Sequence, residues 1–434
     1  MNRTWAFLGL LAAAPPSSPL AAQQPAVSRF TVAGIPVILK PVTANEVIAI
    51  RLYLRGGSAN LTPGTAGIER FIGAMAAQGT AKYGKDDFAA RATENGVEFS
   101  TEAGRDFTVF AARGVQEHWN ETWDLFTQAT LHPTFPETEM GVVRDQILND
   151  VRQRVDDADT YLRWLADSAL FAGHPYAVDA GGAEASITTL TRHDLARWHA
   201  RRMTKENLLL VVVGNVSRAD LQAKVAAAFG ALPRRGGTAI VAPPLSPRAS
   251  SVTIVPRDLP TTYLVGVFPT AGLADPDYPA LRAAMEILSD RLFEEVRTKR
   301  NLSYAVFAGL QSQRANAGLL YVTAVEPDTT LKVMLAEVRR LQEEAIPAPR
   351  IGQTINTYLT QYLMGQEANM SQADRLGRYE LLGGGWERAE TLINRIRAVR
   401  PEEIQRVAQR YLRNFTFAVI GDSTKIDRKL FTSR

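Results

Sequence analysis

The 434 residues are 46% hydrophobic and 22% charged, a globular composition that excludes disorder for most of the chain. Lys plus Arg (49) nearly balance Asp plus Glu (45) and the two signs are interspersed, so no basic stripe for a nucleic-acid backbone is expected. With no cysteine, disulfide scaffolds, thiolate metal sites and cysteine nucleophiles are excluded together, and five histidines remain as metal or base candidates.

Arg3 precedes an apolar run from Trp5 to Ala14, then small and turn-forming residues to Ala22. This is the order of a secretory signal peptide over residues 1–22. A membrane anchor is the competing reading, but the run is only about ten residues and a spanning helix needs roughly 20. The expectation is therefore export, to the periplasm if the host has two membranes, without stable membrane insertion.

Residues 37–39 and 47–54 read as two strands ending at Gly56-Gly57. Residues 68–78 are helical in pattern, with Ile68, Phe71, Ile72 and Met75 along one side. Asp86 or Asp87 can cap the next helix, which runs to Glu94. Residues 98–102 and 107–112 alternate as strands around a Gly104-Arg105-Asp106 turn, and 119–130, 137–157 and 161–171 return to helical spacing. An apolar strand, 208–213, then closes on Gly214-Asn215.

The pattern is written twice. A second strand pair, 251–255 and 261–268, ends at Thr270-Ala271-Gly272, helical segments follow, and 415–420 closes on Gly421-Asp422. The expected fold class is α+β, two homologous mixed α/β domains over 27–234 and 250–434, because long helical tracts separate the strands instead of alternating strictly with them. Residues 235–249, with Gly236-Gly237, Pro243-Pro244 and Pro247, suit an exposed linker.

Several local signals lead nowhere. Gly79-Thr80-Ala81-Lys82-Tyr83-Gly84-Lys85-Asp86 nearly spells a phosphate-binding loop, but Asp86 stands where a hydroxyl should bind magnesium, and a helix instead of a strand precedes it. Gly383-Gly384-Gly385 reads as the end of one helix and the start of another. His118, His132, His174, His193 and His199 form no metal-like pair and read as solvated, with His174 free to bond local backbone. The acidic residues 145, 150, 156, 157 and 159 read as a solvated helix face and cap.

Four landmarks in order remain: Gly67-Ile68-Glu69-Arg70-Phe71-Ile72-Gly73-Ala74-Met75 followed by Gly79-Thr80; Phe171-Ala172-Gly173-His174-Pro175-Tyr176; the strand at 208–213 with Gly214-Asn215; and Val296-Arg297-Thr298-Lys299-Arg300-Asn301-Leu302-Ser303-Tyr304. Within two repeated halves they resemble the insulinase-like, or pitrilysin-type (M16), zinc peptidases, in particular their short two-domain branch. The resemblance implies a fold forming half of a clamshell.

Family members that cut peptides carry His-x-x-Glu-His on the first of these helices, where two His four apart grip zinc and the Glu activates its water. The matching positions here are Arg70, Gly73 and Ala74, and a further family ligand, a Glu, falls near Gln146 by ungapped placement. No metal is expected on this chain. Similar peptidases use an Arg and a Tyr of the later segment to hold the substrate backbone and the developing oxyanion, and Arg297 and Tyr304 match those positions. Spacing alone favours an exposed helix-end Arg and a packed strand Tyr; the surrounding resemblance reverses that preference.

The resemblance thus implies a non-catalytic subunit. Its partner would be a homologous catalytic subunit with intact His-x-x-Glu-His and the zinc, and the substrate an unfolded peptide held by Arg297 and Tyr304 in trans. The alternative is a peptide-binding or assembly protein on a catalytically dead peptidase fold.

Overall fold

A computed structural model describes residues 27–235, 240–246 and 248–432, so the expected signal peptide lies outside the described residues. In chain order the first half comprises β1 (Ser28–Val32), β2 (Ile35–Lys40), β3 (Val47–Arg55), α1 (Ile68–Met75), α2 (Lys85–Glu94), β4 (Glu98–Ala103) and β5 (Phe107–Val115). It continues through α3 (Trp119–Leu131), α4 (Glu137–Gln153), α5 (Ala158–Leu170), α6 (Glu184–Thr189), α7 (Arg192–Arg202), β6 (Leu208–Val213) and α8 (Arg218–Phe229).

The second half holds β7 (Ser251–Pro256), β8 (Thr262–Pro269), α9 (Tyr278–Leu292), a π-helical turn (Phe293–Thr298), β9 (Val306–Leu310) and β10 (Ala317–Ala324). Helices α10 (Pro327–Glu343), α11 (Ala348–Gly365), α12 (Asn369–Leu382), α13 (Glu387–Arg397) and α14 (Pro401–Tyr411) follow, then β11 (Thr416–Gly421) and α15 (Lys429–Thr432).

Two sheets share one plan. Their orders are β1-β2-β6-β3-β5-β4 and β7-β11-β8-β10-β9. The closing strand of each half inserts parallel to the first of the repeated strands, β6 beside β2 and β11 beside β7, and antiparallel to the second, β3 or β8. Both closing strands are buried at every residue, as expected of central strands covered on both faces. The first sheet has one extra member, β1, which the sequence reading did not separate. It joins β2 through Ala33-Gly34, both at positive φ (49° and 89°), a tight hairpin made without the usual Asn-Gly signal.

Smaller differences are local. Helix α1 stops at Met75 and α4 at Gln153, both earlier than periodicity suggested. Gly84, not Asp86 or Asp87, occupies the N-cap of α2 without a side-chain bond; the two aspartates lie in the first turn, where they favour the positive end of the helix dipole. Asp157 does cap α5, accepting from the Thr160 amide at 2.7 Å.

The two halves exchange a helix. Leu162, Ala166 and Leu170 of α5 pack with Val265, Val267, Ala418 and Ile420 of the second sheet. Conversely, Ala373, Leu376 and Tyr379 of α12 share a core with Ile38, Tyr53 and Leu209 of the first sheet. Gly377 makes that crossing possible, since a Cβ there would lie 2.3 Å from Tyr53 ring carbons. Arg51 on β3 bridges Asp374 on α12 at 3.0 Å in the same seam. The linker is also less free than expected: Ala242 is buried, the Ile240 amide donates to Asn60 Oδ1 (3.0 Å), and Arg248 reaches the Ala172 carbonyl (2.6 Å).

Candidate functional site

Helix α1 buries Ile68, Phe71, Ile72 and Met75, the side expected from spacing. That fixes where Arg70, Gly73 and Ala74 point. Arg70 donates to the Gly181 carbonyl (3.0 Å) and to the Asp150 carboxylate of α4. Gln146, the candidate for the later ligand position, is exposed; Asp150, one turn further along α4, is the group that faces Arg70. A fixed cation thus sits against the carboxylate that α4 turns toward the motif.

Gly73 is buried against β4, and a Cβ there would lie 2.4 Å from Thr101 Oγ1 and 2.8 Å from Thr101 Cβ. The strand has closed into the space that a carboxylate side chain would need. Ala74 is half-buried and carries no donor atom. Among the described residues no group of three or more His, Asp or Glu side chains could hold a metal ion. The residues present do not fit zinc.

The sequence reading missed Glu69, the neighbouring residue. It is buried and accepts hydrogen bonds from Thr108 Oγ1 and Trp198 Nε1 (3.2 Å), with the buried Arg202 nearby. Burial pushes its carboxyl pKa up, opposed by those bonds and by Arg202. An acid on the apolar side of a helix was the available signal, and it reports an internal polar network joining α1, β5 and α7.

The histidines divide. His174 accepts from the Tyr176 amide at Nδ1 (3.1 Å) and its Nε2 lies 2.9 Å from the Pro243 carbonyl, so it ties the linker to the first half. His199 is not solvated as expected: Nε2 lies 2.9 Å from the Thr130 carbonyl, Phe135 packs edge-on at 5.9 Å, and burial lowers its pKa.

A cavity of about 1060 Å³ opens beside the altered motif. Its wall includes Gly181, Arg105, Tyr161 and Trp164 from the first half, and Gln313 and Arg378 from the second. Tyr161 and Trp164 stack at 5.8 Å with 14° between their planes, and Arg105 joins the halves by bonding Asp167 (2.7 Å) and Gln313 (3.3 Å).

Arg297 and Tyr304 lie elsewhere. Tyr304 is 80% exposed in the segment before β9, which removes the packed-strand alternative. The Arg297 guanidinium stands 4.3 Å from the Tyr304 ring centroid and 4.9 Å from that of Phe293. Among the described residues the Arg297 side chain makes no hydrogen bond or ion pair, so its N–H groups are unspent. Residues 311–313, at the far end of β9, line the cavity. Neither Arg297 nor Tyr304 is among the residues that line it.

Sequence comparison agrees with this architecture. Models described as "Insulinase (Peptidase family M16)" and "Peptidase M16 inactive domain" match residues 37–179 and 189–358, together most of the chain. The chain belongs to the insulinase-like family M16. An uncharacterized zinc protease of Mycobacterium tuberculosis is 26% identical over 422 residues, covering 94% of this chain and 95% of its own length. An uncharacterized zinc protease of Bacillus subtilis is 21% identical over 408 residues, covering 92% and 98%.

Among solved structures, a peptidase M16 inactive domain from Pseudomonas fluorescens superimposes with a TM-score of 0.84 at 21% identity, covering 92% of this chain and 98% of that one. A protease from Helicobacter pylori does so at 0.83 and 16%, covering 92% and 100%. These likenesses carry the two-domain M16 fold. They stand beside a first half whose motif holds Arg, Gly and Ala.

Proposed function

We propose that this M16 chain is the non-catalytic subunit of an exported, heterodimeric zinc peptidase. It lends Arg297 and Tyr304 to a homologous subunit that carries His-x-x-Glu-His and the zinc. The observation that carries the reading is the half-buried Arg297 stacked on an exposed Tyr304, with unspent donors, in a chain whose own motif is filled by the Arg70–Asp150 pair. A guanidinium and a phenol can both donate to a peptide carbonyl whose oxygen gains charge during attack. This chain's part is to orient an unfolded peptide and stabilise that oxygen; the metal and its water belong to the sister.

Mixing tests it. The isolated chain should cleave no unstructured peptide, and addition of a homologous chain with intact His-x-x-Glu-His should create activity. In the mixture Arg297→Ala or Tyr304→Phe should lower turnover by about one to two orders of magnitude. Equal turnover without this chain sinks the proposal.

The cavity beside Tyr161 and Trp164 favours a second reading, a peptide-binding or assembly protein that no longer serves hydrolysis. Tight binding of an unstructured peptide by the isolated chain, with no stimulation of any M16 sister, would select it.

A further inference from the structure

The π-helical turn that ends α9 carries three acidic or aromatic residues beside Arg297, namely Phe293, Glu294 and Glu295. Single π turns within helices are frequent at functional sites. Only Val296 of this turn is buried, while Phe293 is 46% exposed, so core packing does not account for the phenyl ring.

The two glutamates are the natural ion-pair partners of Arg297, yet both are engaged elsewhere. Glu294 meets Lys299 (2.9 Å) and Arg350 of α11 (3.2 Å). Glu295 meets Lys299 (2.6 Å) and Arg300. The bonds from these cations hold both carboxyls below their usual pKa. Arg297 is left against two aromatic faces, an arrangement that restrains the guanidinium plane while its N–H edge stays available.

We infer that Phe293 is a positioning residue for Arg297, holding its guanidinium together with Tyr304, and that Lys299, Arg300 and Arg350 keep Glu294 and Glu295 from neutralising it. The inference deepens the proposed function and rests on Arg297 being the carbonyl donor. Phe293 touches no reacting atom in this scheme. It narrows the orientations that Arg297 samples before a peptide arrives, and the three cations keep the donor's charge unpaired.

The experiment has two arms that fail separately. In the isolated full chain, the Arg297 Nε–Hε resonance, assigned by its loss in Arg297→Lys, should be shifted upfield by the rings. Phe293→Leu should move it toward the value of a free arginine, and Phe293→Tyr should keep it. An unmoved resonance in Phe293→Leu overturns the stacking.

In the mixed enzyme Phe293→Leu should lower kcat/KM about two- to fivefold, the scale of an exposed cation–π contact, with rescue by Phe293→Tyr. The double variant Lys299→Gln/Arg300→Gln should lower it too, and adding Glu295→Gln should restore it, which loss of fold would not allow. Absence of that restoration overturns the part assigned to the cations. If the resonance behaves as stated while Arg297→Ala leaves turnover unchanged, the stacking stands and the donor reading is lost.

Discussion

The Arg70 guanidinium of α1 reaches the Asp150 carboxylate of α4 and the Gly181 carbonyl together, and so ties down the helix that carries the altered zinc motif. The Asp150 side chain is 63% exposed, so solvent screens the charge pair. Arg70→Leu should lower stability by about 1 kcal/mol, chiefly through the carbonyl bond and the lost pair. Urea midpoints at low and high salt check this: the part due to the pair should shrink with salt, and a salt-independent loss would assign the whole effect to packing and the neutral bond.

Rebuilding the motif should fail for a steric reason. The variant Arg70→His/Gly73→Glu/Ala74→His places a side chain where a Cβ already meets Thr101 at 2.4 Å, forcing β4 outward. Metal analysis should find no stoichiometric zinc, and Gly73→Ala alone should cost about 1–3 kcal/mol, part of it recovered by Thr101→Ala. Zinc-dependent cleavage by the triple variant would show that β4 yields more readily than its position suggests.

The seam between the halves has a similar weak point at Gly377. Alanine ordinarily favours a helix over glycine by about 1 kcal/mol, but here its Cβ would meet the Tyr53 ring at 2.3 Å. Overpacking should win, with a net loss of about 1–3 kcal/mol and faster proteolysis between the halves. A more stable Gly377→Ala protein would mean that α12 can shift on the first sheet.

His199 should make the first half acid-sensitive. Its folded pKa lies below the ordinary 6.5, chiefly from burial, with the bond to the Thr130 carbonyl opposing that shift and His132 adding to it. A base whose folded pKa is depressed contributes stability that is complete above about pH 6.5 and is lost as pH falls through its folded value. Stability should therefore decline below pH 6.5, and His199→Gln should flatten that part of the profile. An unchanged profile would place the acid response on other groups.

The duplication, the central strands and the buried side of α1 were legible in the chain because each is a local pattern: an unbroken apolar run for a strand covered on both faces, and a helical repeat for one buried stripe. The absence of the zinc-motif side chains was equally plain, since it depends only on which residues occupy positions 70, 73 and 74. Strand β1 escaped because its Ala33-Gly34 turn lacks a strong residue signal, and His199 was misjudged because burial is a property of its neighbours.

Other relationships required the tertiary structure. The linear order assigns α5 to the first half and α12 to the second, yet each helix covers the other half's sheet. Asp150, not Gln146 one turn earlier on the same face, meets Arg70 because the packing of α1 against α4 decides which turn of α4 lies opposite it. Likewise, spacing put Arg297 and Tyr304 seven positions apart without saying whether either was free. Tyr304's exposure and its stacking with Arg297 depend on a π turn and on ion pairs that engage Glu294 and Glu295 elsewhere, one of them to Arg350 of α11, which no local periodicity encodes.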